Sequence, residues 1–130
     1  MCKVLILDDE ESIREIFSEI LEDVGLKILT APNAITAGVL LEKHPDIRIV
    51  LCDLFLPGMD GLSFCRKVKA VDPLMIMVAV TGYKHLFSLI DCRLAGFDEV
   101  LFKPEDVKII PEILKAAHER VKRWGSTTKQ

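Results

Sequence analysis

Five polar side chains carry the chemistry this sequence offers, and each stands where an apolar run breaks off. Asp8 and Asp9 follow Lys3-Val4-Leu5-Ile6-Leu7, Asp53 follows Ile47 to Cys52, Thr81 follows Leu74 to Val80, and Lys103 follows Glu99 to Phe102. Singly, each has an ordinary explanation. Asp53 can open the Leu56-Pro57-Gly58-Met59-Asp60-Gly61 turn, Asp8 and Asp9 can favour a helix dipole, Thr81 can cap a helix, and Lys103 can be a solvated charge. Brought together, they make a site. Crowded carboxylates raise one another's pKa unless a cation sits among them. Their hard oxygens suit Mg²⁺ or Mn²⁺ with several waters retained. The carboxylate of Asp53, at the centre, can attack a phosphoryl group and become an aspartyl phosphate.

Convergence requires a scaffold that brings distant strand ends to one edge. The runs up to Leu7, from Ile49 to Cys52 and from Leu74 to Val80 are uninterrupted, as in strands buried on both faces, and Glu99 to Phe102 makes a fifth strand. Between them, helical spacing places Ile13, Ile16, Phe17, Ile20, Leu21 and Val24 inward from Ser12 to Gly25. After a short strand from Leu26 to Thr30, Asn33 can cap a helix that Pro45 stops after His44. A helix from Gly61 to about Val71 turns Leu62, Cys65 and Val68 inward. Another from Lys84 to Ala95 turns Phe87, Ile90 and Leu94 inward and ends at Gly96. The last starts near Ile110, with Pro111 acceptable in its first turn, and buries Ile113, Leu114, Ala117, Val121 and Trp124. Alternating strands and helices imply right-handed βαβ units and one parallel sheet covered on both faces. In such a sheet all carboxyl strand ends share the edge where ligands bind.

Global properties narrow the classes. A chain of 130 residues, 50% hydrophobic and 28% charged, is long enough for one domain with a real core. A net charge of −3 provides no field that recruits nucleic acid or an anionic membrane. Cys2, Cys52, Cys65 and Cys92 form no C-x-x-C pair and read as reduced core or surface thiols of a cytosolic protein. His44, His85 and His118 are too dispersed to indicate zinc. The short N-terminal apolar run is neither a signal peptide nor a membrane span.

In order and spacing, Asp8-Asp9, Asp53 with Leu56 to Gly61, Thr81-Gly82 and Lys103-Pro104 resemble the receiver domain of bacterial two-component response regulators, over about Lys3 to Arg123. The resemblance implies an α/β, flavodoxin-like doubly wound five-stranded parallel sheet of order 2-1-3-4-5 with five helices. It implies a receiver domain over 1–124, followed by a loose polar tail at 125–130. It further implies a cytoplasmic switch that takes a phosphoryl group from a histidine kinase or phosphotransfer protein onto Asp53 with Mg²⁺. The switch then changes its surface for an output protein and catalyses only its own phosphorylation and dephosphorylation. Carried over residue by residue, Asp9 and Asp53 touch the metal directly with the backbone carbonyl of Phe55, and Asp8 acts mainly through water. Lys103 and Thr81 hold phosphoryl oxygens, Gly82 leaves their approach open, and Lys103-Pro104 is cis.

Two departures from the family pattern bear on output. Val100 stands where the family carries Tyr or Phe, so the usual aromatic relay is missing. Tyr83, Leu86, Phe87 and Leu89 cannot all lie on one inward stripe, leaving an apolar patch for a partner. The short sequence after the last helix favours a stand-alone receiver working through protein contacts, a second copy included. The small basic cluster Lys115, Arg120, Lys122 and Arg123 does not argue for DNA binding. A haloacid dehalogenase-type phosphatase would need a second acid two residues after its nucleophile, where Phe55 stands. A phosphorylation-independent receiver-like binding module would have lost an acid or Lys103, and neither is lost.

Overall fold

A computed structural model describes residues 2–82 and 88–128, with side chains up to Trp124 in the last helix. The chain runs β1 (Lys3–Leu7), α1 (Glu11–Glu22), β2 (Lys27–Ala31), α2 (Ala34–Lys43), β3 (Ile47–Cys52), α3 (Gly61–Val71), β4 (Ile76–Thr81), α4 (Leu89–Ala95), β5 (Glu99–Phe102) and α5 (Ile110–Thr128). The strands form one parallel sheet in the order β2-β1-β3-β4-β5, the doubly wound topology expected.

The uninterrupted apolar runs are explained by two cores. Successive side chains of a strand point to opposite faces. Leu5, Leu7, Val50, Cys52, Met77 and Ala79 pack with Phe64, Cys65 and Cys92 on one side. Val4, Ile6, Ile49, Leu51, Val78 and Val80 pack with Phe17, Leu21, Ile110 and Leu114 on the other. All four cysteines are free and buried, so none is a surface thiol. Local signals set the helix starts. Asn33 accepts from the Thr36 amide at 2.8 Å, and Asp60 accepts from the Ser63 amide at 2.8 Å.

Several expectations need correction. The helix expected from Lys84 starts at Leu89, where Ser88 accepts from the Asp91 amide at 3.0 Å; Tyr83, Lys84, Leu86 and Phe87 lie outside the described residues. Ile90 and Leu94 do not face inward but are 71% and 79% exposed, while Cys92 and Ala95 are buried. This short helix packs closely on its neighbours through small residues, and its large ones are left outside. Leu74 is likewise exposed, because its amide and that of Met75 bond back to Asp72 in a turn that delays β4 until Ile76. Ile16 lies off the buried stripe of α1, half exposed. Phe64, not singled out in the sequence, is buried beside Cys65, with Leu62 partly buried at the margin. A 3₁₀ turn at Val107–Ile109 leads into α5, which continues to Thr128, past the Gly125 at which a loose tail was expected. No helix among the described residues is long and apolar enough to cross a membrane.

Candidate functional site

Strand register builds the site. Leu7 pairs with Cys52, and Cys52 with Ala79, so Asp8 and Asp53 leave adjacent strands side by side. Thr81 pairs with Phe102, which places Lys103 one residue beyond, on the same edge. The Asp53 amide bonds to the Leu7 carbonyl at 2.9 Å, and the Lys103 amide to the Thr81 carbonyl at 2.8 Å. The Lys103-Pro104 peptide is cis, as the resemblance implied.

Asp8 is buried and held at several points. Its Oδ1 accepts from the Glu10 amide at 2.9 Å, its carbonyl accepts from Arg14 Nη1 at 2.9 Å, and its Oδ2 lies 3.3 Å from Lys103 Nζ. Asp53, also buried, accepts from the Phe55 amide through Oδ1 at 3.2 Å and faces Lys103 Nζ through Oδ2 at 3.7 Å. One ammonium thus bridges two buried carboxylates. The Asp53 carboxyl is pushed up to about 6, chiefly by burial; Lys103 and the Phe55 amide bond hold it down, while the charges of Asp8 and Asp9 raise it. Asp9 is exposed at the mouth, where one carboxylate oxygen each from Asp8, Asp9 and Glu10 lie within 4.8 Å of one another. Asp53 is joined to this cluster through Lys103. Thr81 is fully buried at the end of β4, and Phe55 is half exposed with its amide turned to Asp53.

Two residues near the site have parts that the sequence reading did not assign. Glu10 joins the acidic cluster, and its only signal was its place in the run Asp8-Asp9-Glu10-Glu11. Gly61 matters through the side chain it lacks. A Cβ there would lie 2.6 Å from the Asp53 carbonyl oxygen and 2.7 Å from the Leu54 Cα, so the turn after Asp53 folds tightly against the start of α3 only with glycine.

A doubly wound sheet with a lysine bridging two buried aspartates at its carboxyl edge defines the receiver class of phosphorylation-switched signalling proteins. Comparison with known proteins agrees. The family model described as Response regulator receiver domain matches residues 4–115, and the chain belongs to that family. It is 32% identical over 129 residues to a chemotaxis protein CheY homolog of Campylobacter jejuni, covering 95% of each chain. It is 31% identical over 115 residues to a cyclic di-GMP phosphodiesterase of Thermotoga maritima; this covers 88% of the chain but only 30% of that longer protein. A crystal structure of a receiver domain protein from Clostridium thermocellum superposes with a TM-score of 0.86 at 26% identity, covering 95% of this chain and 99% of that one. Phosphatase chemistry of the haloacid dehalogenase type is not favoured, since Phe55 occupies the position of its second acid.

Proposed function

We propose that Asp53 is the phosphoryl acceptor of this receiver, with a histidine kinase or phosphotransfer protein as donor. The reading rests on Asp53 being the buried acid that shares Lys103 with Asp8 at the strand ends. Three carboxylates, Asp8, Asp9 and Asp53, against the single ammonium of Lys103 leave two negative charges, and every donor is a hard oxygen. This set fits Mg²⁺, with Mn²⁺ as a substitute. Asp9, Asp53 and the Phe55 carbonyl would hold the ion, with Asp8 and Glu10 around it. When bound, the ion supplies positive charge that keeps Asp53 ionised and offsets the charge of the incoming phosphoryl oxygens.

In transfer, an Asp53 carboxylate oxygen forms the new bond to phosphorus while the bond from phosphorus to the donor's imidazole nitrogen breaks. The electron pair leaves with the imidazole. Lys103 then bridges Asp8 and a phosphoryl oxygen instead of Asp8 and Asp53. Asp8, fixed by the Glu10 amide and by Lys103, keeps the ammonium aimed at the site. The Thr81 hydroxyl bonds a phosphoryl oxygen only when that group is present, which supplies the differential interaction a population shift requires.

Output then passes through the Thr81-Gly82 segment to α4, whose exposed Leu89, Ile90 and Leu94 offer the partner an apolar surface. Val100 provides no ring to relay the change. In this reading the chain works in the cytoplasm and binds neither DNA nor membrane. Incubation with Mg²⁺ and a small phosphodonor should add one phosphoryl mass. Asp53→Asn and excess chelator should each abolish it, and undiminished labelling of the Asn variant refutes the assignment. Amide exchange with Mg²⁺ and beryllofluoride should change in α4, and silence there places the output surface elsewhere.

A further inference from the structure

The polar atoms of Asp53 are held one by one. Its amide donates to the Leu7 carbonyl at 2.9 Å, its Oδ1 accepts from the Phe55 amide at 3.2 Å, and its Oδ2 faces Lys103 Nζ at 3.7 Å. The main-chain carbonyl completes the set. It accepts from the thiol of Cys52, whose Sγ lies 3.1 Å away. Cys52, the last residue of β3, is fully buried, and so is Leu54 on the other side of Asp53. Gly61 closes over the same carbonyl so tightly that a Cβ there would stand 2.6 Å from its oxygen. Enclosed in this way, the oxygen must draw its hydrogen bond from the protein.

The other residues that β3 buries, Ile47, Ile49, Val50 and Leu51, are apolar, and only Cys52 adds a donor to the core it fills. The Asp53 carbonyl and the Leu54 amide share one rigid peptide plane. Turning that plane toward another donor would change ψ of Asp53 and φ of Leu54, and would carry off the Phe55 amide that fixes the carboxylate. We propose that Cys52 is a positioning residue for phosphoryl transfer: its thiol proton, bonded to the Asp53 carbonyl, locks the peptide plane after the acceptor and so aims the Asp53 carboxylate and the Phe55 main chain. This role rests on Asp53 being the acceptor. The thiol keeps its proton throughout and forms no bond to phosphorus.

Four variants separate the donor from the volume it occupies. Cys52→Val and Cys52→Ala remove the donor, Cys52→Ser keeps one, and Cys65→Ala removes another fully buried thiol of the same core, one without a hydrogen-bond partner among the described residues. Uptake of the phosphoryl group from acetyl phosphate at saturating Mg²⁺ should slow about five- to tenfold in Cys52→Val and Cys52→Ala, because misaiming of the reacting group is felt directly in rate, and should stay within about twofold of wild type in Cys52→Ser. Cys65→Ala should lower the thermal midpoint and leave the rate unchanged. The infrared S–H stretch of Cys52, isolated by subtracting the spectrum of Cys52→Ala, should lie below that of Cys65, as a donated bond requires. Uptake on Asp53 at the wild-type rate in Cys52→Val overturns the proposal, as does a Cys52→Ser variant as slow as Cys52→Ala, a rate that tracks the thermal midpoint across all four variants, or an S–H stretch level with that of Cys65. Undiminished labelling of Asp53→Asn removes the acceptor and the proposal with it, a result distinct from normal labelling of Asp53 in Cys52→Val.

Discussion

Replacing Asp53 by Asn should stabilise the metal-free protein at neutral and alkaline pH. The Asp53 carboxyl, ordinarily near 3.8, is pushed up to about 6 in the fold, first by burial and then by Asp8 and Asp9. The sign follows from proton binding. Between these two values the unfolded chain releases its proton while the folded chain retains it, so stability is intact below about 4, falls as pH rises, and stays reduced above about 6. At about 1.4 kcal/mol per pH unit, the full interval corresponds to about 3 kcal/mol. Asp9 and Phe55 leave the mouth of the site open to solvent, and screening there cuts the figure to about 1–2 kcal/mol. Asn carries no charge, still accepts from the Phe55 amide, and leaves Lys103 paired with Asp8 at 3.3 Å. Its thermal midpoint in chelator at pH 8 should exceed wild type by about 3–8 °C, and the gap should close near pH 4. Mg²⁺ should raise the wild-type midpoint more than that of the variant, because it supplies the charge that the carboxylate needs and the amide does not. An Asn variant that melts at or below wild type at pH 8, with both well folded, refutes the view that this carboxylate is held against its own solvation.

Gly61→Ala should cost about 1–3 kcal/mol in urea unfolding and slow phosphoryl uptake, because its Cβ would displace the Asp53 carbonyl, which lies 2.6 Å away. Unchanged uptake would show that the turn accommodates the methyl without moving Asp53. Asp98 accepts from the Met77 amide at 2.8 Å and pairs with Lys69 at 3.0 Å, so Asp98→Ala should cost about 1–3 kcal/mol by orphaning a buried N–H. Asp98→Asn should recover much of that loss through the same amide bond, and equal losses in the two variants would assign the cost to the ion pair.

The strands and the site edge were legible in the sequence for one physical reason. A strand buried on both faces must be apolar throughout, so its first polar residue marks where it leaves the sheet, and parallel pairing brings all such residues to one side. Asp8, Asp53 and Thr81 were readable on that basis; Lys103 follows the edge strand β5, of which only Leu101 is buried, and was readable from its place after the fifth strand. The helix faces were less so. In α4, periodicity of large apolar residues pointed to Ile90 and Leu94, whereas the packed face consists of Cys92 and Ala95, too small to register as a stripe. Glu10 was hidden because a run of four acids does not say which of them the chain folds back together. Gly61 was visible as a turn residue, but a contact of its absent side chain with the Asp53 backbone exists only in three dimensions.

The bond from the Lys103 amide to the Thr81 carbonyl has a mechanical consequence. It is a rung at the last step of the β4–β5 ladder, and it makes the hydroxyl arm and the ammonium arm of the site one lever instead of two. Backbone travel at Thr81 would drag Lys103 away from Asp8, against the 3.3 Å ion pair that anchors it. The backbone of Thr81 is thereby tied to that of Lys103 and, through the ammonium, to Asp8. Under the proposed route to α4, the change would begin at the fully buried Thr81 side chain, with the frame of the sheet as the fixed point against which it pushes.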